Sequence, residues 1–393
     1  MLETIAEILL TTIAVGLVTA GILAILVWVR NLTRKLSALR LFIQIVAVAV
    51  IFLGLIIGPF GVAEWSYLGS APKDIAIGKN IMGRPYPDGL SVPTFACYYA
   101  SGRTSTCVVW QLQSYIFPYW ETSSTYLTTG LERLGIAFGL LVVMSLIFGR
   151  FFCGWICPFG LYMDLLTRLR KTLKIRYWSL SEKANQALRQ SRYLIIAAFL
   201  ILSAILGMRA IAGVELIPEA ELGRYLEMPF CQVCPAKPLF VLAEGALGYM
   251  NLDYALSKTI GDFALTGWYL TSINIIILGV VTVGSFKVRR LWCRICPLGG
   301  LIALFSRFGP FKKLSLIKLT KVEEKCTKCG ICKRVCPPQV TEVYDKKGGD
   351  VTASDCILCF RCVEMCPYED CLSVEVAGKK IYKSKNWLKE EEE

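Results

Sequence analysis

Five stretches of the chain run almost without charge for about twenty residues each: 8–29, 39–60, 131–149, 193–213 and 267–286. Each approaches the length an α-helix needs to cross a hydrocarbon core of roughly 30 Å, so the pattern predicts five membrane spans. Lys and Arg set their direction. Arg30, Arg34, Lys35 and Arg40 lie between the first two spans, the connection 150–192 is basic throughout, and Lys287, Arg289, Arg290 and Arg294 follow the fifth. Acids mark the other side, with Glu3 and Glu7 at the start and Glu215, Glu219, Glu221 and Glu227 after the fourth span. Both signals put the N-terminus outside and the C-terminal region in the cytoplasm.

The aromatic-rich segment 61–130 and the acidic segment 214–266 then lie outside. Within 160–176, Leu161, Leu165, Leu166, Leu169 and Leu173 fall along one helical face, with Arg168, Lys171 and Lys174 off it. That pattern predicts a helix resting on the cytoplasmic lipid surface, or a docking helix for a partner. MLETIAEILL has no basic n-region, so the first apolar run reads as a retained helix rather than a cleaved signal. No ionisable residue falls near mid-depth in any span, which argues against a proton pump.

Composition agrees: 55% of the 393 residues are hydrophobic and 19% charged. The net charge of +13 reads as positive-inside loops rather than as a nucleic-acid surface. Seventeen cysteines and no histidine change the picture more. Without histidine, this chain offers no His-ligated haem, no two-His-one-carboxylate iron site and no mixed Cys/His zinc. Its redox chemistry must run on sulfur-ligated metal or on a bound organic cofactor.

CTKCGICKRVCP supplies Cys326, Cys329, Cys332 and Cys336; CILCFRCVEMCP supplies Cys356, Cys359, Cys362 and Cys366. Both are C-x2-C-x2-C-x3-C-P, the spacing of two-cluster bacterial ferredoxins. Three thiolates on a curling loop reach three irons of one cubane, and the fourth iron lies beyond that loop. Cys326, Cys329, Cys332 and Cys366 are thus expected to bind one [4Fe–4S] cluster, and Cys356, Cys359, Cys362 and Cys336 the other. Structural zinc is the alternative, but it does not explain two tandem runs of four. Cys371 reads as a buried thiol.

GRFFCGWICPFGLYMDLLTR and RRLWCRICPLGGLIALFSR form an internal repeat, each copy following an outside-to-inside span. The second copy is one residue shorter, CxxCP against CxxxCP. Cys153 and Cys157 could be inert thiols, a redox disulfide or half of a metal site. Their recurrence as Cys293 and Cys296 favours four thiolates converging on a third cluster at the membrane face. On the outer side, Cys231 and Cys234 form another CxxCP, while Cys97 and Cys107 flank what reads as a hairpin. A Cys97–Cys107 disulfide and a fourth cluster shared by Cys97, Cys107, Cys231 and Cys234 are both open.

The paired motifs after membrane spans, followed by the two ferredoxin runs, resemble the NapH/NosR-type membrane ferredoxins over about 131–376. The resemblance implies a polytopic iron–sulfur protein associated with quinol oxidation and electron delivery to periplasmic reductases. By position, Cys153, Cys157, Cys293 and Cys296 match the family's membrane motifs, and Cys326 through Cys366 its ferredoxin ligands. The shortened second motif, the outer cysteines, the first span and the aromatic loop depart from the pattern.

The expected architecture is a membrane all-α bundle of about five helices with a cytoplasmic α+β ferredoxin-like domain. Its parts are two helices in 1–60, an outer loop 61–130, the duplicated unit 131–314, the two-cluster domain 315–378 and a polar tail 379–393. The expected function is a subunit of a quinone-linked respiratory complex in the plasma membrane, passing electrons between quinone and redox partner subunits. The quinone site has no assigned residues. Asp164 inside, and Glu215 or Glu221 outside, are candidate proton acceptors, though each reads first as an ordinary solvated or N-cap acid. A maturation or regulatory protein reducing a partner's metal centres, and a transmembrane thiol–disulfide carrier, are the alternatives.

Overall fold

The computed structural model describes residues 36–57, 107–116, 131–206, 229–246, 272–306 and 314–386. The expected span 8–29, Cys97, Glu215, Glu221, nearly all of the loop 61–130 and the last seven residues of the tail lie outside the described residues. The chain divides into two compact units, one of Met1–Val48, Val142–Arg189 and Phe286–Glu393, the other of Ala49–Leu141 and Gln190–Ser285.

The helices are α1 (Leu36–Ile57), α2 (Val108–Ile116), α3 (Leu131–Phe148), α4 (Phe151–Trp155), α5 (Pro158–Thr172), α6 (Glu182–Leu206), α7 (Pro229–Val233), α8 (Ala236–Ala246), α9 (Ser272–Lys287), α10 (Trp292–Ile295) and α11 (Pro297–Ser306). Four of them, α1, α3, α6 and α9, overlap expected spans, although α6 starts well before residue 193. Among the described residues, one helix, Glu182–Ile205, is long and apolar enough to cross a membrane.

Several of these helices are inside out. In α1, Arg40 and Gln44 are buried one turn apart, while Phe42, Ile45 and Val46 are exposed. In α9, Asn274 and Ser285 are buried while Ile276, Val280 and Val283 stand out, Val283 at 70% exposure. Along α5 and its C-cap, Leu165, Leu169 and Leu173 form an exposed stripe at i, i+4, i+8. Leu161 and Leu166, expected on the same face, are buried instead. The stripe is therefore narrower than the sequence pattern alone predicts.

Cys107 is followed by helix, not by the second strand of the expected hairpin. Val108, Val109, Leu112 and Gln113 are all buried at helical spacing, and this packing overrides the strand preference of the two valines.

The C-terminal region is a four-stranded antiparallel sheet of β1 (Ile317–Lys321), β2 (Gly349–Asp350), β3 (Leu372–Val376) and β4 (Lys379–Lys383), in the order β2-β1-β3-β4. Leu319 pairs with Val374, and both bury fully against Val343, Val351, Val363 and Phe360. Three short helices, α12 (Ile331–Val335), α13 (Glu342–Asp345) and α14 (Arg361–Glu364), carry or flank the cysteine loops. The sheet outruns the expected boundary at 378. Ala377 and Gly378 both take positive φ, +49° and +82°, and close a two-residue hairpin that brings Lys379–Lys383 back along β3. Ser384 then donates to Tyr368 O at 2.6 Å and accepts from the Cys371 and Leu372 amides, so the first residues of the expected tail belong to the domain.

Candidate metal centre

Each ferredoxin loop curls by the same backbone device. The residues two and four past the first cysteine are left-handed: Lys328 and Gly330 in one loop, Leu358 and Phe360 in the other. Cys332 lies within electrostatic reach of Cys326, Cys329 and Cys366, and Cys336 within reach of Cys356 and Cys359. The fourth cysteine of each run thus faces the first three of the other. Cys362 also feels Cys332, so the two tetrads adjoin. Burial, then neighbouring thiols, push Cys332 up to about 11. Cys371 is buried in the wall of the first tetrad's cavity, with Cys326, Cys329, Cys332 and Cys366. Its hydrogen bond draws Cys366 down to about 7.

The two repeat loops also fold alike. Proline forces the preceding residue out of the helical region and starts the next helix at its first position. Cys157 (φ −56°, ψ 118°) and Cys296 (φ −54°, ψ 119°) accordingly sit at the breaks before α5 and α11. Each receives the amide of the glycine three residues on, Gly160 or Gly299. Cys157 lies within reach of Cys153 and Cys293, and Cys296 within reach of Cys153, Cys293 and Cys157, so all four thiols share one site, with Cys293 buried and the other three half-buried. Burial and the neighbouring thiols push Cys157 up to about 12.

The copies hold each other through a reciprocal pair of arginines. Arg150, three residues before Cys153, donates to Cys293 O at 2.9 Å; Arg290, three before Cys293, donates to Cys153 O at 2.7 Å. Each guanidinium lies over the other copy's glycine. A Cβ on Gly299 would meet Arg150 Nη2 at 2.6 Å, and one on Gly160 would meet Arg290 Nη2 at 3.4 Å. The recurring Arg, Cys-Pro and Gly are therefore one device: the glycine offers its amide to sulfur and leaves room for the opposite arginine.

The extra residue in the first copy is Gly154, and it marks where the copies stop being equivalent. The chain absorbs the insertion with an i→i−5 bond, Cys157 N to Phe152 O at 3.0 Å, where Cys296 N bonds Trp292 O at i−4. A Cβ on Gly154 would lie 2.1 Å from Ile357 O, so the loop of the second tetrad rests directly on this glycine. Trp155 Nε1 donates to Leu358 O at 2.7 Å, and its ring packs 5.6 Å from Phe360. Phe360 holds a left-handed conformation that its counterpart Gly330 takes freely; its packing against Phe151 and Trp155 offsets that strain. Arg294, the counterpart of Trp155, donates to Pro337 O beside Cys336 at 3.1 Å and to Gln339 Oε1 at 2.8 Å. The two repeat loops thus grip both chain segments of the second tetrad.

Asp164 is not a surface acid. Arg290 (2.5 and 3.0 Å), Arg40 (3.1 Å) and Gln44 (3.2 Å) all donate to its carboxylate. Burial alone would raise it, but the charges of Arg290 and Arg40 hold it well below the usual carboxylate range. It is a fixed anion, unsuited to taking up protons near neutral pH. Sequence reasoning missed these arginines' roles because it credited them only as positive-inside charges.

These residues fit an anionic cluster. Around the repeat loops, the buried guanidiniums Arg40, Arg150, Arg290 and Arg294 exceed the buried carboxylates Asp164 and Asp355 by two charges, since Arg40 and Arg290 share one carboxylate and Arg294 meets neither. Arg189, which reaches Asp355 at 3.1 Å, is matched by Glu342 at 3.9 Å. Buried Arg150 Nε, Arg294 Nε and Arg40 Nε and Nη1 have no hydrogen-bond partner. Buried charge of this kind requires a counter-ion. A [4Fe–4S]2+ core held by four thiolates carries a net charge of about two minus, which matches. Among the described residues no three Cys, Asp or Glu side chains close on one point as ligands of a single ion do; a cubane gives each thiolate its own iron.

In the other unit, α7 and α8 repeat the short helix, Cys-Pro and helix arrangement at Cys231 and Cys234. Gln113 of α2 accepts from Phe230 N at 2.8 Å and approaches Cys231 Sγ at 4.0 Å. The helix that begins after Cys107 therefore packs on the Cys231 segment.

The comparisons identify an iron–sulfur electron carrier of the ferredoxin type. A 4Fe-4S binding domain model matches residues 132–176 and again 272–315, the two repeat copies, and a 4Fe-4S dicluster domain model matches 318–367. An uncharacterized protein of Methanocaldococcus jannaschii is 32% identical over 61% of this chain and 78% of its own. The ferredoxin-type protein NapH of Haemophilus influenzae is 27% identical over 70% of this chain and 81% of its own. The regulatory protein NosR of Stutzerimonas stutzeri is 24% identical over 55% of this chain but only 23% of its own. Two further relatives are spanned over 58% and 65% of their lengths. No solved structure matches. The chain belongs to the NapH/NosR-type family of membrane ferredoxins.

Proposed function

We propose that this protein is a membrane-integral relay that passes electrons between the quinone pool and partner subunits of a respiratory complex. Iron–sulfur electron transfer is supported by the ferredoxin-type relatives; the quinone, the complex and a third cluster are this reading's additions. The observation that carries it is the convergence of Cys153, Cys157, Cys293 and Cys296 on one site whose loop rests, through Gly154, directly against the loop of the second ferredoxin tetrad. Clusters bound at three adjoining tetrads each supply one-electron steps, which suits a two-electron quinol. The first tetrad is the outermost, since Cys329 is exposed. Gly154, Trp155 and Arg294 hold the second tetrad against the third.

The inside-out helices support membrane insertion, because exposed Ile and Val beside buried Asn, Ser and Arg suit lipid and not water. The exposed leucines of α5, flanked by Arg168, Lys171 and Lys174, suit a helix lying on the lipid surface. Cys97, Cys107, Cys231 and Cys234 remain candidates for a fourth cluster on the outer side.

Iron and sulfide quantitation with EPR, on the detergent-purified chain and its Cys293→Ala and Cys231→Ala variants, tests the reading. Loss of one four-iron signal in Cys293→Ala, with the ferredoxin signals kept, supports the third cluster; an unchanged spectrum overturns it. Reduction of the remaining clusters by added quinol supports the quinone link, and clusters that respond only to chemical reductants overturn it.

A further inference from the structure

We propose that Arg150 and Arg290 are the counter-charges of the third cluster and set its reduction potential. The inference rests on the third-cluster reading above and adds a role for two residues outside the ligand set. Both guanidiniums are 2% exposed or less and within electrostatic reach of the tetrad: Arg150 of Cys153, Cys293 and Cys296, Arg290 of Cys293. They are held there by the reciprocal carbonyl bonds and by the space over Gly299 and Gly160.

Their charges are not spent alike. Arg290 is locked to Asp164 by two bonds, and Asp164 also binds Arg40. Arg150 meets Asp355 only at 3.4 Å, and Asp355 is shared with Arg189 at 3.1 Å. Arg150 therefore keeps more of its charge for the tetrad. One-electron reduction adds a negative charge without making or breaking a bond or moving a proton. A cation fixed in a buried site favours that reduced state, and does so more strongly than it would in water. Arg150 also bonds Asp355 O at 3.2 Å, one residue before Cys356. The residue that raises the third cluster's potential thus also ties it to the second tetrad.

Mediated redox titration with dithionite, followed by EPR, on wild type, Arg150→Gln, Arg150→Lys, Arg290→Gln and Gly299→Ala is the test. The Cys293-dependent signal identifies the third cluster. Its absence from wild type sinks the third-cluster reading itself, independently of the arginines. With the signal present, its midpoint should fall in Arg150→Gln, fall less in Arg290→Gln, and stay near wild type in Arg150→Lys. Gly299→Ala keeps every charge and ligand but pushes the guanidinium aside, and should lower the midpoint part of the way. If Arg150→Gln fails to assemble the cluster, Arg150→Lys and Gly299→Ala still decide. Unchanged midpoints with iron retained, or equal losses in the Gln and Lys variants, would overturn the assignment.

Discussion

Replacing Gly154 by alanine adds one methyl group where the repeat loop meets the second tetrad. The added carbon would sit 2.1 Å from Ile357 O, whereas ordinary contact begins near 3.4 Å, so one backbone must retreat by about 1.3 Å, the difference of the two. Neither side yields cheaply: one is the Cys153 helix, the other a carbonyl between Cys356 and Cys359. If the loops stay docked, the overpacking costs about 1–3 kcal/mol. If they part, the Trp155–Leu358 hydrogen bond is lost, about 1 kcal/mol, together with the Phe360 contacts to Phe151 and Trp155, about 0.5–1.5 kcal/mol each. The docked route is the cheaper of the two, so the expected loss is about 1–3 kcal/mol. Denaturant unfolding of the detergent-solubilised protein reads the stability, and magnetic coupling between the second ferredoxin cluster and the proposed third cluster reads the docking. Gly139, with nothing within 4 Å of an added Cβ, is the control; in a helix interior its alanine variant should be neutral or slightly stabilising. A Gly154→Ala protein as stable and as strongly coupled as the Gly139→Ala control would refute the docking geometry.

Other perturbations separate the remaining parts. Asp164→Asn leaves Arg290 and Arg40 facing each other in a buried site and should destabilise by about 3–5 kcal/mol in denaturant titration. Because the folded Asp164 is held below its unfolded value, its contribution is complete above the ordinary carboxylate range and fades only as pH falls toward the depressed folded value. The wild-type advantage over Asp164→Asn should hence be flat from about pH 8 to 5 and shrink below about pH 4. Trp155→Phe removes the donor to Leu358 O and should cost about 1–3 kcal/mol, because the carbonyl stays buried, as read by the same unfolding assay. Cys371→Ala should leave iron content unchanged while shifting the first cluster's potential, since its thiol touches Cys366 but completes no tetrad; loss of four irons would make it a ligand.

Much of the site is legible in the chain itself. The ferredoxin cysteines declare themselves because cubane ligation demands a fixed spacing on one loop, and such spacing survives as a string. The duplication of Arg, Cys-Pro and Gly is equally readable, because proline and glycine carry their backbone consequences locally. Apolar runs locate α1, α3, α6 and α9 for the same reason. The purpose of the duplication is not readable. That Arg150 serves Cys293 and Arg290 serves Cys153 is an exchange between segments 140 residues apart, and a string cannot say which surplus charge faces which loop. Gly154 reads as an irregularity in a repeat, and only the fold lays Ile357 O against it. Asp164 reads as a surface acid because nothing short of the fold brings Arg40, Gln44 and Arg290 to it. Local rules, in short, chose the ligands and bent the chain around them; long-range packing decided which charges the thiolates would face and where one tetrad would touch the next.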